Sequence, residues 1–209
     1  MTDHFSLLGE PRRPWLDPAA LKPRFISLSS EVHPDRIHGA SEADKRAATQ
    51  RFAALNAAYN CLRDPRDRLL HLLDLELGER PKDVQRIPAG TMDLFVEVGQ
   101  LCGDADAFLT ERRKVTSPLL RVGLFEKGLA WADNLNHLQK KIDARREGLL
   151  AEMRSMDRAW ESAPPVGAPD RARSLPLERL EQIYRILSYT TRWTEQIQER
   201  LVQVMSSGL

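Results

Sequence analysis

The chain has 209 residues, 42% of them hydrophobic and 29% charged, with a formal net charge of +1. That length buries a core in one large domain or two small ones, and the composition is that of a soluble globular chain, not a disordered one. A near-neutral charge exerts no global pull on nucleic acid, and no apolar run reaches the roughly 20 residues of a membrane helix.

The first residues, MTDHFSLLGEP, lack the basic-then-apolar layout of a secretory signal. They also lack the Arg-rich, acid-poor character of an organelle leader. Cys61 and Cys102 are distant in sequence and form no CxxC motif, which argues against a structural zinc site or a disulfide framework. Together these features point to a reducing cytoplasm.

Strand signals are nearly absent, because no stretch alternates apolar and polar residues between turn residues. Helix signals recur along the whole chain. Residues 5–8, FSLL, predict a short apolar turn closed by Gly9. Asp17-Pro18 predicts a helix start, since Asp caps free N–H groups and Pro fits the first turn. The following run sets Leu21, Phe25, Leu28 and Val32 on one face. Pro23 falls about five residues into that helix and is expected to remove a hydrogen bond and bend the axis.

Ser41-Glu42-Ala43-Asp44 resembles a capping box with Asp in the last place. The next helix carries Phe52, Leu55, Tyr59 and Leu62 on one side. Asp64-Pro65 repeats the cap-and-Pro device and opens a helix through Leu69, Leu72 and Leu73. Residues 78–90, GERPKDVQRIPAG, are dense in chain breakers and predict a linker.

Beyond the linker a second helical region is expected. One segment covers about 91–102. A second runs from Ser117-Pro118 toward Trp160, with interruptions expected near Gly123 or Gly128. Residues 103–120 and the Pro-rich 162–176 read as surface elaborations. A last helix, 177–205, sets Leu180, Ile183, Leu187 and Thr191 along one side. Three helices joined in this way predict an antiparallel bundle.

The polar corner EVHPDRIHGAS, 31–41, lies between two helical runs and admits several readings. His33, Asp35 and His38 offer three metal ligands, but nothing nearby completes a set. His33 as a hydrolytic base needs a placed nucleophile and an orienting acid, and no G-x-S-x-G motif is present. A protein-docking corner fits the chemistry better. Pro34 stiffens the loop and lowers the entropy lost on binding, and Asp35 accepts a charge-assisted bond from a partner arginine. The bland reading is a polar turn without function.

The surroundings carry a resemblance. DHFSLLGEP (3–11), LDPAALKPRFISLSSEVHPDR (16–36) and RFAALNAAYNCLRDPRDRLLHLL (51–73) resemble a J domain in order, spacing and the place of the His-Pro-Asp tripeptide. Within that superfamily, LNAAYNCLRDPRDRLLHLL resembles the end of the J domain in the HscB-type iron–sulfur cluster co-chaperones. The resemblance implies an all-α chain with an N-terminal J domain at 1–77, a linker at 78–90 and a C-terminal three-helix bundle at 91–209.

It also implies a function. A J-domain co-chaperone stimulates the ATPase of an HscA/DnaK-type chaperone, and the bundle delivers an IscU-type scaffold protein during iron–sulfur cluster assembly. Such a chain is no enzyme, holds no cofactor or metal of its own, and engages neither nucleic acid nor membrane. His33, Pro34 and Asp35 match the essential tripeptide. Lys22, Arg24 and Arg36 match the basic residues that meet an acidic chaperone surface, where charge steers encounter. Pro23, Ser30 and Glu31 depart from the family pattern and thin the basic face.

On the first bundle helix, TMDLFVEVGQLC (91–102), two apolar stripes are visible. One is Leu94, Val98, Leu101 and Cys102; the other is Met92, Phe95, Val96 and Gly99. The family's scaffold contacts carry over to Met92, Phe95, Val96 and Glu97, with the register open between two alignments. The final helix suggests Ile186, for which a core role is an equal alternative. Trp131, Trp160 and Trp193 read as bundle packing. Two other functions stay open: a J-protein with a different client, and an interaction protein with a degenerate J domain.

Overall fold

Three of the expected starts are built by side-chain caps. The Asp17 carboxylate accepts from the Ala19 N–H, Ser41 Oγ from the Asp44 N–H, and Asp64 from the Asp67 N–H. Each satisfies a backbone donor that the first turn leaves without a helical partner. In the computed structural model, which describes residues 2–33, 41–81 and 87–206 (the side chains of 118–121 apart), all regular structure is helical. The elements are α1 (His4–Leu8), α2 (Pro18–Glu31), α3 (Glu42–Arg63), α4 (Pro65–Leu77), α5 (Met92–Lys114), α6 (Pro118–Ser155), α7 (Asp157–Glu161), α8 (Arg171–Ser174) and α9 (Leu177–Ser206).

By packing, the chain forms two compact units. One consists of Met1–Asp83 and Leu150–Tyr184, the other of Val84–Leu149 and Arg185–Leu209.

In the first unit, α2 and α3 run antiparallel. Phe25 stacks on Tyr59 with ring centroids 4.4 Å apart, and His33 meets Phe52 edge-on at 5.3 Å. Residues 25 and 33 thus face 59 and 52 in reverse order, as a hairpin requires. Pro23 is accommodated inside α2, at the cost of one backbone hydrogen bond. Helix α1 ends in Gly9 at φ 65°, a left-handed conformation that glycine adopts without the Cβ penalty of other residues. Phe5 and Leu8 are buried.

Arg68 on α4 is buried and donates to the carbonyls of Pro14 and Leu62. It ties the segment after α1 to the end of α3. Burial pushes its pKa down to about 10, with Asp64 and Asp157 opposing. Within the same unit, Arg171 of α8 forms a two-bond ion pair with Glu76 of α4, both bonds 2.8 Å. The Pro-rich segment is therefore anchored by a buried arginine. The reading of 162–176 as surface elaboration needs that correction: α8 interrupts the loop, and Arg171 points inward.

The second unit is built from α5, the earlier part of α6 and the later part of α9. Val98, Cys102 and Leu109 of α5 share one core with Leu135, Leu138 and Ile142 of α6 and with Trp193, Ile197 and Val204 of α9. Polar contacts give the directions. Glu97 pairs with Lys141, Arg112 donates to the Val204 carbonyl, and Arg200 meets Asp106. Gln139 donates to Thr194. Helix α6 runs opposite to α5, and α9 runs opposite to α6. This is the up-down-up order that a short 115–117 connection permits.

Two expectations about this unit are corrected. Residues 103–114, read from the sequence as part of a surface elaboration, are the continuation of α5. The stripe Val98, Cys102, Ala105, Leu109 keeps its helical spacing through Gly103, and all four side chains are buried. Burial of that stripe outweighs the roughly 1 kcal/mol helical cost of a glycine. Helix α6 likewise passes Gly123 and Gly128 without a break. At Gly128 an added Cβ would lie 3.4 Å from Arg112 Nη1 and 3.7 Å from Val204 Cγ1, so the small residue admits close approach of α9.

Candidate functional site

Two surfaces carry the residues singled out from the sequence, and each is positioned by its own unit. The first is the outer side and tip of the α2–α3 hairpin. His33 follows α2 directly, after Val32 at its C-cap. Its ring rests edge-on against Phe52 of α3, which holds the imidazole at the hairpin end. Pro34, Asp35, Arg36 and His38 lie outside the described residues.

Lys22 is exposed on α2, free of the apolar stripe that buries Leu21. Arg24 is different. Its Nε donates to the Leu8 carbonyl at 3.1 Å, and a Cβ on Gly9 would meet its Nη2 at 2.5 Å. Arg24 therefore closes the end of α1 onto α2 while remaining exposed, as Lys22 is. Near the end of α2, Ser30 donates to the Ser27 carbonyl and Glu31 is exposed, so this turn presents no base.

One residue on this face was not singled out in the sequence. Ile26 is 52% exposed and lies one turn after Lys22, where i and i+4 share a side. Its signal was available, since it falls off the stripe of Leu21, Phe25 and Leu28.

The second surface is the first half of α5. Its two stripes divide as their spacing requires. Val98 and Cys102 are buried, and Leu94 and Leu101 pack partly buried against the same core. On the other side Met92 is 54%, Phe95 41% and Val96 56% exposed. At i, i+3 and i+4 these three share one side and form an exposed apolar patch at the start of α5. Glu97 borders the patch and pairs with Lys141 of α6. That partner is 44 residues away in sequence and could not be read from spacing.

Ile186 does not join this surface. It is 1% exposed, the position of a core side chain, and it presents no area to a partner in this structure. Trp160 and Trp193 are also buried, while Trp131 packs at the margin of the second core. Cys102 is buried, and burial pushes its thiol up, away from the reactive thiolate.

No protein-family model matches the chain. In sequence it is 35% identical over 106 residues to the co-chaperone protein HscB homolog of Chromobacterium violaceum, covering 50% of this chain and 61% of that protein. It is 46% identical over 72 residues to the protein of the same name from Bordetella pertussis, covering 34% of this chain and 42% of that one. The matched stretches thus span about half the length of these relatives. In structure the chain is similar to the human co-chaperone protein HscB, with a TM-score of 0.61 at 19% identity, over 95% of this chain and 82% of that one. Among the described residues no helix is long and apolar enough to cross a membrane. The sequence likeness, over part of the chain, is to proteins named co-chaperone HscB, and the structural likeness shows a shared all-α fold over nearly all of the chain.

Proposed function

We propose that this chain is a J-domain co-chaperone that stimulates ATP hydrolysis by an HscA/DnaK-type chaperone and brings it an IscU-type scaffold during iron–sulfur cluster assembly. The observation that carries the reading is the antiparallel α2–α3 hairpin with His33, the first residue of the His-Pro-Asp sequence, leading directly out of α2. The curated relatives bear the same co-chaperone name.

The mechanism is docking, not covalent chemistry. Pro34 limits the loop's conformers before the encounter, so less entropy is lost on binding. Asp35 presents a carboxylate to an arginine of the chaperone, a charge-assisted contact. His33, braced by Phe52, sets the direction in which the loop leaves α2. Lys22 and Arg36 supply the basic rim that steers approach to an acidic surface. Arg24 adds charge to that rim while chiefly holding α1 in place.

The domain order in this reading is a J domain at 1–77, a linker at 78–90 and a scaffold-binding region at 91–209. Met92, Phe95 and Val96 form the apolar centre of the scaffold contact, and Glu97 forms its polar border. Phe and Met are among the side chains enriched at the buried centre of protein interfaces. The work is that of the reducing cytoplasm, and the chain turns over no substrate of its own.

Calorimetric titration of an IscU-type scaffold into the whole chain tests the second surface. Saturable 1:1 binding that weakens at least tenfold in Phe95→Ala is expected. A chain that docks the chaperone but ignores the scaffold would mark a J-protein with a different client.

A further inference from the structure

A third cluster of chemistry-bearing side chains takes no part in either surface. His4 opens α1, Cys61 lies in the last turn of α3, and His71 is in the middle of α4. One donor atom from each lies within 4.8 Å of the other two. The imidazole centroids are 4.4 Å apart, and Phe5 stacks on His71 with ring centroids 5.9 Å apart. His4 Nδ1 is buried and makes no hydrogen bond. Cys61 Sγ has only a long contact, 3.6 Å, to the Asp67 carbonyl. A partly buried group of two imidazoles and one thiol, with one ring nitrogen lacking a partner, is under-satisfied as a polar network.

We propose that His4, Cys61 and His71 form a binding site for a borderline-soft divalent transition-metal ion, Zn2+, with a fourth position open to water. The donor set is the one such an ion takes, nitrogen and sulfur, and it is unsuited to Mg2+ or Ca2+, which need oxygen. Bonds of about 2.0–2.3 Å place tetrahedral ligands roughly 3.3–3.7 Å apart. Side-chain rotations on the order of 1 Å therefore close the set.

In the metal-free arrangement His71 Nε2 accepts the His4 backbone N–H at 3.0 Å, so entry of the ion through that lone pair replaces one hydrogen bond. Burial pushes the His71 imidazole down to about 4 and the His4 imidazole below its ordinary value. Burial thus favours the neutral ring in both, and neutral imidazole is the form that binds metal. The Cys61 thiol is pushed up to about 11, by burial first and then by Asp67. Coordination forms a Zn–S bond and releases the thiol proton to solvent, since a bound cation reverses the local charge balance. The ion would join three helices of one unit and tie the start of the chain to α3 and α4.

The test uses the whole untagged chain, stripped with chelator and then titrated with Co2+ as a coloured substitute for Zn2+. Zn2+ affinity follows by competition with a chromophoric chelator. One equivalent of Co2+ is expected, with a thiolate-to-cobalt charge-transfer band in the near ultraviolet that Zn2+ abolishes. Cys61→Ala is expected to lose the band and at least tenfold in Zn2+ affinity, while Cys102→Ala keeps both. If circular dichroism shows that Cys61→Ala does not fold, His4→Ala serves as the second variant and is expected to lose at least tenfold in affinity with the band shifted. No thiolate band in the folded wild type would overturn the proposal, as would unchanged Zn2+ affinity in a folded Cys61→Ala or His4→Ala. The test is independent of chaperone and scaffold, so its failure leaves the co-chaperone reading where it stands.

Discussion

Arg24 Nε donates to the Leu8 carbonyl at 3.1 Å, across 16 residues of sequence. The bond satisfies a carbonyl in the last turn of α1 and locks that helix to α2. Lys22, two residues earlier and exposed, is given no such role. The two bases therefore separate experimentally. Arg24→Ala is expected to lower stability by about 0.5–1.5 kcal/mol, the net range for a protein hydrogen bond, since the guanidinium is exposed. Lys22→Ala is expected to stay within about 0.5 kcal/mol of wild type and to slow chaperone association at low salt. Urea denaturation and stopped-flow association measure the two effects.

The Arg171–Glu76 pair offers a test of the anchored loop. Its side chains are 9% and 2% exposed. Glu76→Ala leaves a buried guanidinium without its partner, and a loss of about 3–5 kcal/mol is expected. The exposed pair Lys114–Glu111, with side chains 66% and 70% exposed, serves as the control. Glu111→Ala is expected to change stability by less than about 1 kcal/mol. Thermal and urea unfolding of the two variants check the contrast.

Asp157 accepts the Trp15 backbone N–H at 3.2 Å and lies 3.8 Å from Arg13. Burial nonetheless pushes its carboxyl above the ordinary 3.8, with the Trp15 N–H and Arg13 opposing. A carboxyl raised on folding favours the folded state fully below its unfolded pKa and loses that contribution as pH rises through the folded value. Asp157→Asn keeps an oxygen for the Trp15 N–H and carries no charge to desolvate. It is expected to be more stable than wild type at pH 7, with the gap narrowing as pH falls toward about 4. Urea midpoints across that range decide it. A gap that widens on acidification would reverse the sign.

On α5 and α9, exposure separates binding from packing. Phe95 is 41% exposed and Ile186 is 1% exposed. Phe95→Ala is expected to weaken scaffold binding at least tenfold while leaving stability within about 0.5 kcal/mol. Ile186→Ala is expected to cost about 2–5 kcal/mol of stability, with scaffold affinity kept wherever the chain stays folded. Calorimetric binding paired with thermal unfolding reads both quantities on the same samples.

Much of this fold is local and was legible. Asp17, Ser41 and Asp64 cap the helices they precede, and the two stripes of α5 bury and expose as their spacing indicates. What was not legible depends on tertiary context. Residues 103–120 read as a surface elaboration and Gly128 as an interruption, yet packing of Ala105, Leu109 and Val204 carries the two helices through Gly103 and Gly128. Arg171 reads as a loop base, but its partner Glu76 is 95 residues away. The His4, Cys61 and His71 group is assembled from three helices, so no spacing along the chain announces it. Ile186 illustrates the opposite case, where likeness suggested a contact and burial places the residue in a core.

The central claim is that the His-Pro-Asp sequence acts on a chaperone. Single-turnover ATP hydrolysis by an HscA-type chaperone tests it most directly, with no addition, with wild-type chain and with Asp35→Asn, each with and without an IscU-type scaffold. Stimulation by the wild type that vanishes in Asp35→Asn and grows with the scaffold is the predicted result. Equal rates with wild type, with Asp35→Asn and with no addition, repeated on a general DnaK-type chaperone, would contradict the account.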